Sequence, residues 1–189
     1  MKRLFSMVCL IAVASLATLS QGEARPHALI EAEAQAGCGN FETTTGKPGW
    51  MLVSGPGVTA PKAPVNVSPY GGWAAPIGAS SWVSVDASRG IATGDYTYEY
   101  VFCTCQTGNS LRLAFYADNG AKAYLNGTQI FATTGSYNFT GAPKGGTYSG
   151  TAFVPGTNTL RIVVHNDSSV TGLDAVLGVT GAGEGCCRR

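Results

Sequence analysis

The chain has 189 residues, of which 44% are hydrophobic, 10% are aromatic and only 12% are charged. Average soluble domains carry about 25% charged residues and about 7% glycine, whereas 26 residues of this chain are glycine. Disorder would need low hydrophobicity with a high net charge, and nucleic-acid binding would need a basic surplus. The formal net charge of +1 supplies neither. The composition is typical of a secreted β-protein.

Residues 1–24 predict a cleaved secretory signal peptide. Lys2 and Arg3 precede an apolar run over residues 4–19, and Gly22 and Ala24 are small residues suited to a cleavage site. The run is shorter than the ~20 apolar residues of a spanning helix, so we expect no membrane insertion. Cleavage would leave equal numbers of acidic and basic side chains, and the product would be secreted and extracellular, with the periplasm or cell surface as alternatives.

The mature chain divides into a flexible lead-in, residues 25–40, and one β-sandwich domain, residues 41–189. Apolar and polar side chains alternate with a period of two, which predicts half-buried strands, in residues 95–102, 110–117, 158–166 and 172–179. Asn126-Gly127 lies between two further strand-like runs and predicts a hairpin with a type I′ turn.

A long surface loop is predicted over residues 54–77. The segment contains five prolines, which exclude it from a central strand. Loops of this length are uncommon unless they are functional. The remaining pattern of short strands and turns predicts an all-β sandwich or barrel.

Two strings of the sequence resemble known domains. ADNGAKAYLNGTQI, residues 117–130, and PGTNTLRIVVHN, residues 155–166, are similar to galactose-binding-like jelly-roll domains. The resemblance extends over roughly residues 70–180 and implies a single jelly-roll β-sandwich of the kind found in carbohydrate-binding modules. Because one fold hosts many functions, the ligand has to be argued from particular residues.

Trp73, in the string YGGW that begins at Tyr70, is the first candidate for binding carbohydrate. Sugar binding needs aromatic platforms together with fixed polar groups, and loops on a rigid sandwich often carry binding residues. The alternative is that Trp73 closes one end of the core, as we expect for Trp82. Both interpretations of Trp73 stand at this point.

Polar residues at strand ends supply the other candidates for the binding rim, namely Asp118, Asn119, Asn166 and Asp167. Asp118 and Asn119 could bind sugar hydroxyls or, as the one cofactor considered, a Ca²⁺ ion through oxygen ligands. The simpler interpretation is an Asx-type turn. The sequence alone does not bring together the six or more oxygens that calcium needs, so no metal site is assigned.

The cysteines predict disulfide bonds, because export favours them over metal thiolates. The candidates in the mature chain are Cys38, Cys103, Cys105, Cys186 and Cys187. Cys38 could pair with Cys186 or Cys187, and Cys103 and Cys105 could bridge each other or reach the C-terminal pair. One cysteine is odd, which suggests an intermolecular bond or a free thiol. A soft-metal site is the competing interpretation.

We therefore predict a secreted, non-catalytic domain that binds carbohydrate through loop aromatics and polar rim residues. The alternative is a structural or adhesive protein that contacts protein partners or self-assembles through disulfides. Neither histidine, His27 or His165, is placed as a catalytic base, and no catalytic motif is present. An enzyme with an unrecognised site would require Asp118 and Asp167 to converge in one cleft.

Overall fold

The computed structural model describes residues 39–183, except residues 91 and 107. This part of the chain contains β-strands and no helix, which confirms the predicted all-β class. The strands are β1 (Gly39–Thr44), β2 (Trp50–Ser54), β3 (Val65–Asn66), β4 (Val83–Ser84), β5 (Gly94–Thr104), β6 (Leu111–Asp118), β7 (Gly120–Leu125), β8 (Thr128–Ala132), β9 (Lys144–Tyr148), β10 (Gly156–Asn166) and β11 (Gly172–Ala182). Strand β1 begins at Gly39, inside the segment predicted as lead-in.

The strands pair antiparallel and form two layers. One layer has the order β1-β11-β6-β9, and the other has the order β2-β5-β10-β7-β8. The layers are joined where Ala182 pairs with Thr104, and the short β3-β4 pair extends from β11 at Leu173. Apolar side chains of both layers form one core, so the architecture is a β-sandwich.

The predicted alternation of inward and outward side chains is confirmed. In β10, Leu160, Ile162 and Val164 are buried, whereas Arg161 and His165 are exposed. The inward positions of β11 and β6 are likewise buried, namely Leu173, Ala175, Leu177, Val179, Leu111, Leu113 and Phe115. Successive side chains of a strand point to opposite faces, so burying one apolar face determines the register of each strand.

The predicted hairpin lies between β7 and β8. Asn126 has a φ of 50° and Gly127 a φ of 84°, which are the positive values that a type I′ turn requires. The proline-rich segment has little regular pairing, as predicted: it contains the two-residue strand β3 and an isolated bridge between Leu52 and Lys62. In the described residues, no helix is long and apolar enough to cross a membrane.

Candidate functional site

A second, smaller apolar cluster lies outside the main core. It consists of Trp73, Trp82 and Tyr116, with half-buried Val67, Ala74, Ile77, Phe139 and Val170 around it. Tyr116 follows the buried Phe115 in β6 and therefore points to the outer face of the β11-β6 layer. Trp73 stacks on Trp82 with ring centroids 4.1 Å apart. This cluster holds the chain between β3 and β4 against the sandwich.

Two features of β11 allow the cluster to form. Gly172 faces Trp73 so closely that a Cβ atom there would lie 2.5 Å from the indole Cη2. Asp174 is buried beneath the connection, where its Oδ2 accepts a hydrogen bond of 2.9 Å from the Ile77 amide. Burial raises the pKa of Asp174. The absence of a side chain at Gly172 and the buried carboxylate of Asp174 thus allow the proline-rich segment to pack against β11.

A groove of about 360 Å³ opens beside this cluster. Four connections between strands contribute to it, and its lining residues are Tyr70, Gly72, Trp73, Asp118, Asn119, Ser136, Tyr137, Phe139, Asp167, Ser168, Ser169 and Val170. Five of the six residues predicted for ligand binding therefore meet in one place: Tyr70, Trp73, Asp118, Asn119 and Asp167. Their role in binding remains a prediction.

Trp73 combines the two interpretations that the sequence left open. Its side chain is 7% exposed and packs in the second cluster, so it closes an apolar cluster. It also lines the groove, and its Nε1 donates a hydrogen bond of 2.8 Å to Oδ2 of Asp118. Trp73 therefore forms part of the base of the groove and is not an exposed platform.

Asp118 is a nearly buried carboxylate in the lining of the groove, and its pKa is raised. It is 5% exposed, and its Oδ1 is buried with no hydrogen-bond partner among the described residues. Burial raises the pKa of Asp118 to about 6; the Trp73 hydrogen bond opposes this shift and the charge of Asp167 adds to it. A buried acceptor without a partner costs about 1–3 kcal/mol.

Asn119 and His165 hold the Asp167 side of the groove. Asn119 Oδ1 accepts a hydrogen bond of 2.8 Å from the Asp167 amide, which joins the β6–β7 and β10–β11 connections. His165 lies between two carboxylates, with Nδ1 2.6 Å from Asp95 Oδ1 and Nε2 3.3 Å from Asp167 Oδ1. His165 therefore lies near the end of the inner strand β10, in contact with both carboxylates.

Tyr70 and Tyr137 are the exposed aromatic residues of the groove. Tyr70 is 49% exposed, meets Trp73 edge to face, and has the Arg89 guanidinium 5.5 Å from its ring centroid. Tyr137 is 76% exposed and packs edge to face on Phe139. The sequence reasoning missed Tyr137 and Phe139, although GSYNF, like YGGW, places an aromatic ring among small residues between strands.

Asn166 is a correction to the predicted rim. Its side chain is fully buried and does not line the groove. The amide nitrogen donates to the Ala92 carbonyl at 2.9 Å, and Oδ1 accepts from the Ser168 amide at 3.2 Å. Because its amide nitrogen and its amide oxygen both bond to backbone groups, Asn166 stabilises the β10–β11 connection.

No calcium site is assigned within the described residues. Ca²⁺ takes about 6–8 oxygen ligands, and no group of three His, Cys, Asp or Glu side chains in residues 39–183 is placed to hold a metal ion. In the groove, Oδ2 of Asp118 and Oδ1 of Asn119 already accept hydrogen bonds from the protein.

The cysteine predictions are only partly within the described residues. Cys103 and Cys105 are disulfide-bonded, whereas Cys38, Cys186 and Cys187 lie outside the described residues. The Gly183 amide donates to the Cys103 carbonyl and the Cys105 amide to the Gly181 carbonyl, so the end of β11 runs beside these cysteines. The pairing scheme and the odd cysteine remain predictions.

No family model and no curated protein matches this chain. Solved structures similar to it include the CBM35 from Cellvibrio japonicus Abf62, at 14% identity and a TM-score of 0.45 over 77% of this chain and 98% of the module. The module CBM36 in complex with calcium and xylotriose is similar at 11% identity and a TM-score of 0.34, over 57% of this chain and 87% of that one.

This chain also spans 23% of an FMN-binding beta-glucuronidase from Facaelibacterium prausnitzii L2-6, at 16% identity and a TM-score of 0.45 over 75% of this chain. All three TM-scores lie below 0.5, so the fold is assigned from the strands of this chain itself. The described residues form an antiparallel β-sandwich.

Proposed function

We propose that this protein is a secreted, non-catalytic domain that binds carbohydrate in the groove. The observation that carries the proposal is the combination of two exposed tyrosines, Tyr70 and Tyr137, with a buried carboxylate at the base, Asp118, whose Oδ1 lacks a partner. The rings offer apolar surface and the carboxylate offers a fixed acceptor.

This combination fits the two sides of a sugar. The C–H face of a pyranose is apolar and packs on aromatic rings, while hydroxyl groups at its edge need placed hydrogen-bond partners. The groove, at about 360 Å³, lies in the range of about 300–1,000 Å³ usual for ligand sites. Ser136 and Ser168 add hydroxyl groups to its lining.

The groove stands on a rigid base. Asp118 ends the central strand β6, and Trp73 is held by its stacking on Trp82. Ligand-binding loops act best when a rigid scaffold positions them. The groove-lining loops are thereby placed before a ligand arrives, which lowers the entropic cost of binding.

Asp118 and Asp167 both line the groove, which is the arrangement that a glycosidase would require. We assign both to binding because no catalytic motif accompanies them in the sequence. The assignment predicts that polysaccharides retained by the protein are not cleaved. Release of reducing ends that is lost in Asp118→Asn would contradict it.

Binding is tested with the secreted protein by affinity electrophoresis in gels that contain xylan, mannan, galactan or hydroxyethyl cellulose. We expect retardation by at least one polysaccharide and a loss of affinity of about tenfold, equivalent to about 1.4 kcal/mol, in Tyr70→Ala and in Tyr137→Ala. Tyr124→Ala is the matched control, because this half-buried tyrosine of β7 lies outside the groove.

Two results would overturn the proposal. One is the absence of retardation by every polysaccharide at high protein concentration. The other is unchanged affinity in both groove variants, with folding verified by near-UV circular dichroism. Equal losses in Tyr124→Ala and the groove variants would also count against this groove as the site.

A further inference from the structure

The lining of the groove is acidic. Its lining residues, all within the described part of the chain, include two carboxylates, Asp118 and Asp167, and no lysine, arginine or histidine. Arg89 packs on Tyr70 but is not part of the lining, and its guanidinium donates to the Ser68 carbonyl. A ligand in the groove therefore meets a local negative potential.

The burial and hydrogen bonding of Asp118 add a second observation. Its side chain is 95% buried, because only 5% is exposed, and Oδ1 has no partner among the described residues while Oδ2 accepts from Trp73. An unpartnered buried carboxylate oxygen favours a donor that also carries positive charge, since charge-assisted hydrogen bonds are about twice as strong as neutral ones. An ammonium group brings three donors and a positive charge.

The aromatic rings of the groove suit the same group. Tyr137 and Phe139 line it beside the carboxylates, whereas the Tyr70 ring already has the Arg89 guanidinium 5.5 Å from its centroid. Ring faces attract cations through their quadrupole, by about 0.5–1 kcal/mol at exposed sites and about 2 kcal/mol when water is excluded. Aromatic rings and carboxylates together are the groups that bind organic ammonium ions.

We infer that the groove selects glycans that carry a primary ammonium group, as amino sugars do, over neutral and acidic glycans. The inference rests on the proposed function and adds the chemical class of its ligand. Acidic sugars are disfavoured because their carboxylates would face Asp118 and Asp167. Neutral sugars keep the ring contacts but lose the charge-assisted hydrogen bond.

Three oligosaccharides of equal length test the selection by calorimetry at about pH 7: the hexamer of glucosamine, the hexamer of N-acetylglucosamine and the hexamer of galacturonic acid. The first two share one ring and differ in the charge of the nitrogen substituent. We expect the glucosamine hexamer to bind at least about tenfold more tightly than its acetylated counterpart, and the galacturonate hexamer to bind least.

Asp118→Asn and Asp167→Asn should each reduce this preference about tenfold. Asp167 is about half exposed, so its variant keeps the test valid if Asp118→Asn fails to fold. Glu42→Gln, on the exposed side of β1 and outside the groove, removes the same charge and should leave the preference unchanged. An equal loss in Glu42→Gln would mean unspecific charge attraction and would overturn the inference.

The outcomes separate this inference from the proposed function. Equal affinity for the glucosamine and N-acetylglucosamine hexamers, or preference for the galacturonate hexamer, overturns the selection for ammonium and leaves carbohydrate binding in place. If no hexamer binds and no polysaccharide retards the protein, both proposals fall. Binding of glucosamine hexamer that is unchanged in both Asp118→Asn and Asp167→Asn overturns the selection at this groove.

Discussion

The Nε1 of Trp73 donates a hydrogen bond of 2.8 Å to Oδ2 of Asp118, and this bond connects the second apolar cluster to the groove. The two residues are 45 positions apart in the chain. One lies in the proline-rich connection and the other ends strand β6. The bond gives a buried carboxylate one partner, while Oδ1 has none among the described residues, so the geometry of the groove depends on this pair.

Trp73→Phe removes the donor and keeps an aromatic ring on Trp82. Oδ2 of Asp118 then loses its donor, so neither oxygen of this buried carboxylate has a hydrogen-bond partner. We expect the free energy of unfolding to fall by about 1–3 kcal/mol, the cost of a lost partner for a buried group. Urea denaturation measures the change. In an Asp118→Asn background the same substitution should cost less, and equal costs in both backgrounds would show that the pair is not coupled.

The raised pKa of Asp118 predicts how stability depends on pH. Burial raises the pKa from 3.8 to about 6, so the folded protein binds this proton more tightly than the unfolded chain does. The associated stabilisation is present below the unfolded pKa of 3.8 and is lost as the pH rises through about 6. Trp73 and Asp167 are the other groups that contribute to this shift.

Between these pH values the wild type should therefore lose about 2–3 kcal/mol relative to Asp118→Asn, because each pKa unit corresponds to about 1.36 kcal/mol. Urea denaturation of both proteins at several pH values measures the difference. Asp174, whose pKa is also raised by burial, is present in both proteins and cancels in the comparison. Parallel stability curves would contradict the assignment.

Gly172→Ala tests the close approach of β11 to Trp73. The new Cβ would lie 2.5 Å from Trp73 Cη2 and 3.2 Å from Trp82 Cε3, so the indoles must move. We expect a loss of about 1–3 kcal/mol in stability, together with weaker carbohydrate binding. Gly178→Ala on the same strand is the control, because the nearest atom to its Cβ, the Phe41 carbonyl oxygen, is 4.0 Å away. If both variants are equally stable, the packing argument fails.

Asn126 connects the hairpin to β10 through its side chain as well as its backbone. Its Oδ1 accepts from the Thr159 amide at 2.9 Å, and its Nδ2 donates to the Ala152 carbonyl and to Asn158 Oδ1, both at 2.8 Å. Asn126→Ala removes these bonds and places alanine at a positive φ, so we expect a loss of about 2 kcal/mol or more.

Gly127→Ala, at the neighbouring position, changes only the backbone preference and should cost about 1 kcal/mol. Thermal unfolding of both variants compares the two costs. A loss in Asn126→Ala no larger than that in Gly127→Ala would mean that the side-chain hydrogen bonds add nothing.

Two residues that follow His165 show a limit of prediction from local sequence. Asn166 and Asp167 are neighbours, and both were predicted to join the rim. Asn166 is fully buried, with its amide bonded to the Ala92 carbonyl, while Asp167 lines the groove. Residues 92 and 166 are distant in the chain, so local pattern could not assign the two polar side chains to different roles.

The sequence by itself determined four of the strands, β5, β6, β10 and β11, with their inward faces, and the hairpin between β7 and β8. These features follow from alternation with a period of two and from the positive φ that Asn126 and Gly127 accept, both of which are local. Tertiary structure decided which loop residues meet: Trp73, Asp118 and Tyr137 come from separate connections. Their convergence depends on the packing of the two layers, on the space at Gly172 and on the hydrogen bond between Trp73 and Asp118, which are long-range contacts.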